Sequence, residues 1–471
     1  GNCIRFLDDS TFDDIHRIDL EPTEMILSMV AASMSICQPS SPSIKNIENP
    51  DCDMRMKQYL VVGTAYVLHD EDEPAKGRIL VYSCYPEDNA VSGITNRSVK
   101  LVTELLVRGG VYSICQFFEG KILATVNSKT QLCKMVNDGT GVIKLNFVGV
   151  GHHGHILSLF VSSRAPSTLK DKKEENKQKE MLAIVGDLMR SISLVQYYPQ
   201  YETLEEVARD FNANWTTALA MLTDDVYLGG ENWNNLFILR RNNKAQSEEV
   251  RCRLETVGEF HLGEMCNKFM SGSLVMPNTS SDTSKPNSSR SRRRSLTSPS
   301  PKRKSTKDSS KVSSNSPGRG PTISRKRPVV VIGSQTLFGT VDGTLGVILG
   351  LDSATAAFFS CLEKAMEHVI IPIGNFSHEQ FRAFSAEQRF NPPHGFVDGD
   401  LVESFLDFDM GTMELVVQQM NRGGTWMKSS ATAHLLVENT GDGSIGINDN
   451  QIPQLSVDDV LAVIEEMTML H

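Results

Sequence analysis

The sequence of 471 residues has no CxxC pair, no Cys/His spacing of the kind zinc sites use, and no window approaching eighteen consecutive apolar residues. The first two absences argue against a zinc module and the third against a helical membrane span. No basic stretch leads into an apolar run near the N-terminus, so no secretory signal is read there. GxSxG, HExxH and GxxxxGK[ST] are all missing, and no arrangement nominates a nucleophile with its base. The sequence therefore reads as noncatalytic, with no cofactor and no metal. Nine cysteines, an odd number scattered from Cys3 to Cys361, fit a reducing intracellular compartment better than a disulfide framework. The start at Gly1 reads as that of a fragment.

What is present is enough apolar content, 40%, for a sizeable core in a chain too long for one ordinary domain. The formal charge of -10 hides an asymmetry: residues 277 to 328 carry fourteen Lys or Arg against two Asp, leaving the remainder near -22. That segment is rich in Ser, Thr and Pro and cannot bury enough surface to fold, so a disordered basic insertion is expected. Its clusters, Arg292, Arg293, Arg294 with Ser295, and Lys302, Arg303, Lys304, suit a nuclear-import signal or a nonspecific polyanion contact. Phosphorylation at Ser295, Ser298, Ser300 or Ser316 would cut its charge. A second charged stretch, Ser163 to Lys179, reads as a solvated loop.

The dominant periodicity is two, in short β-branched and aromatic runs broken by Gly, Asn and Asp. One unit recurs: an apolar run ending in a small then a polar residue, a few polar positions, and a second apolar run. Its copies are Leu60 to Thr64 with Ile79 to Tyr82, Leu123 to Asn127 with Gln131 to Cys133, Ala183 to Asp187 with Ile192 to Val195, Tyr227 to Glu231 with Leu236 to Leu239, and Leu337 to Val341 with Gly346 to Leu349. A spacing of roughly 45 to 60 residues, once the basic insertion is removed, suits one four-stranded propeller blade per copy. A further apolar strand precedes each copy: Ile26 to Val30, Val111 to Phe117, Ile156 to Val161, Thr217 to Leu222 and Leu262 to Phe269. A β-sandwich with irregular loops is the competing reading.

From about Asp352 the period becomes 3.6, with Phe358, Phe359, Leu362, Ala365, Met366 and Val369 on one stripe. Asp400 to Phe408 and Thr412 to Met420 read as further helices, and Ser456 to Asp459 as the N-cap of a last one reaching Met469. The expected fold is mainly β: an incomplete propeller of about five to six blades over residues 1 to 352, then a helical domain over 353 to 471.

Three local motifs fail on context. Gly149-Val150-Gly151-His152-His153-Gly154 satisfies GxGxxG, but an alternating strand-like run follows where a phosphate-binding helix would have to begin. His152, His153 and His155 have no acidic or Cys residue at helpful spacing and read as a polar turn. Glu438 to Asp449 mimics a calcium loop only loosely. Trp215, following the polar run Asp210 to Asn214 between two strands, reads equally as an interface anchor or a packed residue.

Longer ordered stretches carry more information. Val185-Gly186-Asp187-Leu188-Met189-Arg190-Ser191, Glu206 to Trp215, Gly63-Thr64-Ala65, Phe260 to Glu264 and Gly395 to Leu406 resemble the large subunits of the damage-specific DNA-binding protein, the adaptors of cullin-4 RING ubiquitin ligases. The resemblance covers that family's third propeller and C-terminal helices, from near residue 2 to His471, apart from the charged insertions and residues 423 to 454. It implies a seven-bladed propeller completed by strands missing here. It also implies a noncatalytic scaffold in nucleus and cytoplasm, active in DNA-damage repair and protein ubiquitination. WD-repeat substrate receptors would insert a helix into a propeller cleft, cullin-4 would bind a propeller missing from this chain, and DNA would be met indirectly through a receptor, with no membrane contact.

By motif position the resemblance assigns receptor contact to Ala65, Glu71, Glu73, Tyr112, Leu188, Arg190, Trp215, Asn267 and Val341. Leu157, Leu159, Phe160 and Met265 share that surface, although the family favours Met, Leu, Tyr and Phe there. Lys268 stands where the family has a small apolar residue. A buried Arg190 would need a carboxylate or backbone carbonyl within reach. The rival implication is an RNA-processing large subunit, since polyadenylation and splicing paralogues share the propeller and helical tail. The GDLMRS and DFNANW stretches favour the adaptor.

Overall fold

The computed structural model describes residues 2–8, 10–37, 56–84, 99–164, 180–273, 332–423 and 454–470. The import and phosphorylation positions Arg292 to Lys304, Ser316, the 438–449 loop and nearly all of the 163–179 stretch lie outside them. The fold is mainly β. An antiparallel ribbon, β1 (Cys3–Leu7) and β2 (Asp14–Asp19), precedes five blades laid down in chain order, the second and third of them joined edge to edge into one sheet. Blade 1 contains β3 (Glu24–Met34), followed by the short β4 (Ile36–Cys37) that crosses to another sheet, and then β5 (Lys57–Tyr66), β6 (Gly77–Ser83) and β7 (Lys100–Val107). Blade 2 is β8 (Val111–Gln116), β9 (Ile122–Val126), β10 (Lys129–Asn137) and β11 (Ile143–His153). Blade 3 is β12 (Ser158–Ser163), β13 (Met181–Asp187), β14 (Ile192–Tyr198) and β15 (Thr203–Arg209). Blade 4 is β16 (Thr216–Met221), β17 (Val226–Glu231), β18 (Asn235–Arg241) and β19 (Leu254–His261), with the short α1 (Glu248–Arg251) before its last strand. Blade 5 has β20 (Cys266–Ser271), β21 (Ile332–Thr340) and β22 (Leu345–Leu351).

Within each blade, successive strands pair antiparallel, and the first strands β3, β8, β12, β16 and β20 lie side by side from one blade to the next. Sheets converging on their first strands make a propeller, as the repeats predict. The five sequence copies prove to be the second and third strands of each blade. These are covered on both faces, which is why they read as continuous apolar runs rather than half-buried alternation. On β13, Ala183 and Val185 belong to the cluster between blades 2 and 3, while Leu182 and Ile184 belong to the one between blades 3 and 4. Comparable clusters join blades 1 and 2 and blades 4 and 5. The ribbon β1–β2 covers blade 1 through Ile4 and Leu20 against Val62 and Leu80.

The GxGxxG stretch lies on β11 up to His153, and its first glycine has a packing reason. Gly149 has φ +56°, and a Cβ there would stand 1.8 Å from the carbonyl oxygen of Glu202 in the neighbouring blade. Val150 donates its N–H to that carbonyl at 2.9 Å. The glycine thus permits two blades to meet edge to edge.

After β22 come α2 (Ser353–Val369), α3 (His378–Arg382), a hairpin of β23 (Phe384–Ala386) and β24 (Arg389–Asn391), α4 (Gly399–Glu403), α5 (Met410–Gly423) and α6 (Val457–Thr468). Ser456 caps α6 in a capping box with Asp459, as the sequence predicts. The helix expected from Asp400 to Phe408 splits into α4 and a 3₁₀ turn over Ser404–Asp407. The hairpin is a feature that sequence reasoning missed. The helices share a core of Phe358, Leu362, Phe405, Val416 and Ile464 against which Leu349 and Leu351 of blade 5 pack.

A buried arginine docks this helical region on blade 4. Arg382 donates through Nε to Asp398 at 2.6 Å and through Nη1 to the carbonyls of His261 and Leu262. Burial opposes ionisation of both Asp398 and His378, but their mutual hydrogen bond, Arg382 and Glu367 prevail: Asp398 is held at about 2 and His378 lies above its ordinary value. Phe384 of the hairpin is fully buried and completes the cluster between blades 3 and 4. Phe384→Ala should therefore cost about 3 to 5 kcal/mol, the range for a fully buried aromatic. Chemical denaturation measures it, and a change under about 1 kcal/mol would show that the hairpin does not brace the blades.

Candidate interaction rim

All thirteen residues assigned to receptor contact fall at one end of the blades. They occupy two kinds of segment: the lead-in and first turns of each inner strand, and the turn between second and third strands. Tyr112, Leu159, Phe160 and Asn267 lie at the starts of β8, β12 and β20, with Leu157, Trp215 and Met265 just ahead of β12, β16 and β20. Ala65 is the penultimate residue of β5, and Glu71 and Glu73 follow the strand. Leu188 and Arg190 form the β13–β14 turn, and Val341 the β21–β22 turn.

Two repeated devices shape this rim. The first is a register shift at the same point of every blade, between Ile26 and Ser28, Val111 and Ser113, Ser158 and Phe160, Thr216 and Ala218, and Cys266 and Lys268. The residues left over are Leu27, Tyr112, Leu159, Thr217 and Asn267. A bulge re-aims the extra side chain, and here it does so five times at the same end of the sheet. The second device is a backbone hydrogen bond that ties each turn to its own lead-in: Val67 to Thr23, Asn127 to Gly110, Leu188 to Leu157, Asn232 to Trp215 and Val341 to Met265, all between 2.9 and 3.1 Å. Leu157 is thereby coupled to Leu188, and Met265 to Val341.

Exposure separates the assigned residues. Trp215 is 44% and Val341 55% exposed, while Glu71, Glu73, Arg190 and Asn267 are also open to solvent. Tyr112, Leu157, Leu159, Phe160, Leu188 and Met265 are half-buried. Ala65 is fully buried, and a Cβ on Gly110 would come within 3.2 Å of its methyl, so Ala65 shapes the rim from beneath. The partner expected for Arg190 is a correction: its side chain is exposed and among the described residues no ion pair includes it, so it carries no desolvation cost to offset. Burial and, after it, the Glu73 carboxylate of blade 1 push the Tyr112 hydroxyl of blade 2 above its usual range. The His152 side chain is buried and its pKa is lowered by burial, with Glu206 at 3.7 Å. Among the described residues no three His, Cys, Asp or Glu side chains converge on a metal position.

Sequence reasoning missed Leu27 and Thr217, although they hold the repeat position of Tyr112, Leu159 and Asn267. It also missed Trp233, 49% exposed in the β17–β18 turn, whose signal was its place in the copy equivalent to Leu188 to Arg190. Beneath Trp233 lies Glu231, which accepts from the N–H groups of Trp233 and Asn235 and from the Asn235 side chain. Burial pushes its carboxyl up to about 7.

A match to the family described as the CPSF A subunit region covers residues 1–407. Curated relatives include DNA damage-binding protein 1b of Arabidopsis thaliana, 36% identical over 423 residues, and DNA damage-binding protein 1a of the same plant, 35% identical over 420. DNA damage-binding protein 1 of Solanum lycopersicum is 35% identical over 418. Each alignment takes in 89% of this chain and 30% of the relative, so the chain spans under a third of the length of the curated relatives it matches.

The Glu231 turn gives a signed pH effect. Its folded-state carboxyl holds a proton that the unfolded chain, with an ordinary value of 4.5, has already released, so this group lowers stability as pH rises from 4.5 through about 7. Glu231→Gln should flatten the fall in melting temperature between pH 5 and 8, removing at most about 3 kcal/mol of pH dependence. Thermal melts across that range check it, and an unchanged slope would contradict it.

Proposed function

We propose that this chain, which belongs to the CPSF A subunit region family, is the receptor-docking part of a noncatalytic adaptor. The adaptor links substrate receptors to a cullin-4 RING ubiquitin ligase and serves protein ubiquitination and DNA-damage repair. The observation that carries this reading is the one-sided rim, where bulged and turn residues of five successive blades are gathered at one end with Trp215 and Val341 exposed among them. Apolar anchors flanked by Glu71, Glu73 and Arg190 suit capture of an amphipathic helix. WD-repeat receptors are the proposed partners, each giving a helix to this face. Cullin-4 would be held by another propeller of the whole protein, and DNA met through a receptor.

The division at residue 352 separates receptor-facing blades from the helices that brace them. The basic insertion would direct the protein to the nucleus, with a second pool in the cytoplasm. An RNA-processing large subunit is the second reading, favoured by a family description that is broader than the names of the relatives. Trp215→Ala should weaken a receptor helix by roughly 2 kcal/mol, about 30-fold in Kd, in calorimetric titration of the assembled protein. An unchanged Kd would remove Trp215 from the interface.

A further inference from the structure

Arg389 belongs to the hairpin of the helical region, yet its guanidinium reaches the residue beside the rim tryptophan. Nη2 pairs with Glu259 Oε1 at 2.9 Å and donates to Asn214 Oδ1 at 3.2 Å. The arginine is fixed at this place from two further sides. Its guanidinium lies 4.3 Å from the ring centroid of the buried Phe384, and Glu259 also accepts from Asn391 Nδ2 at 2.6 Å.

Asn214 is itself only 5% exposed, and its polar groups are engaged in opposite senses. Nδ2 donates to Asp210 Oδ2 at 3.2 Å and to Ser191 Oγ at 3.3 Å, and the backbone carbonyl accepts from Ser191 N at 3.1 Å. With a carboxylate on one side and a guanidinium on the other, the amide has a single favourable orientation: nitrogen toward Asp210, oxygen toward Arg389. Trp215 is the next residue, and its own carbonyl accepts from Asn232 N at 3.1 Å. An exposed indole is thus carried on a backbone pinned before and after it. Such pre-ordering cuts the entropy lost when an aromatic anchor is buried in an interface.

We infer that Arg389 is a positioning residue for Trp215: through Asn214 the helical region sets the orientation in which the rim tryptophan is presented to a partner helix. The partner helix rests on the receptor-docking reading, while the link from Arg389 to Trp215 does not. Without the guanidinium, Asn214 Oδ1 is left buried and unsatisfied, and the amide gains a reason to turn away from Asp210 and Ser191.

The test uses the full chain labelled with 5-fluorotryptophan, the signals of Trp215, Trp233 and Trp426 being assigned by single Trp→Phe replacements. Arg389→Met is expected to shift or broaden the Trp215 fluorine resonance, leave that of Trp233 in place, and weaken a receptor-derived helical peptide roughly 10-fold. Arg389→Lys should restore both, because Nζ can bridge Glu259 and Asn214 as Nη2 does. In an Asn214→Ala background Arg389→Met should add nothing further. Arg389→Gln replaces the Met variant if the latter does not fold. A Trp215 resonance that ignores the loss of Arg389 overturns the inference, as does an equal change at Trp233 that Arg389→Lys fails to reverse. If the resonances respond as expected but the unmodified chain shows no affinity for the peptide, the positioning stands and the docking reading falls.

Discussion

Leu182 and Ile184 face blade 4 while Ala183 and Val185 on the same strand face blade 2, and the same two-sidedness runs through the middle strands of the described blades. A sheet that buries both faces depends on both neighbours for its favourable free energy, at roughly 25 cal/mol for each Å² of apolar surface covered. The ribbon β1–β2 covers blade 1 on one flank, and the helices cover blade 5 on the other. The helical region is therefore part of the propeller's core bookkeeping as well as an appendage to it. Phe384 enters between blades 3 and 4, and Arg382 replaces water around the carbonyls of His261 and Leu262.

The same stacking explains the rim. Inner strands brought side by side present their first residues at one end, and a bulge at the same register in every blade turns the extra side chain there. The turn-to-lead-in hydrogen bonds then hold each blade's two rim segments together. Residues as distant in sequence as Tyr112 and Asn267 share a face because the repeat places each at an equivalent position, without any local motif joining them.

Much of the architecture was legible because its causes are local. Five copies of an apolar-small-polar unit marked the buried middle strands, and the change of period near Asp352 marked the helices. Outer strands such as β7 and β11, with one face more open, left a weaker pattern. The hairpin over Phe384 to Asn391 was hidden because each of its strands has only three residues and it is stabilised by distant partners, Glu259, Asn214 and Asn235. The rim was legible only in part. Ordered stretches such as Val185 to Ser191 pointed to thirteen positions, but burial of Ala65 and exposure of Arg190 depend on how blades meet, which no single stretch encodes. Leu27 and Thr217 became visible only once the bulges aligned the repeats.

The proposed role of the face assembled from successive blades is to dock the receptors of a ubiquitin-ligase adaptor. Mass spectrometry of complexes recovered from native extract, with an antibody against residues 353 to 471, tests it most directly. Cullin-4, its RING partner and several WD-repeat receptors are expected in them. Polyadenylation or spliceosomal subunits recovered without cullin would contradict it.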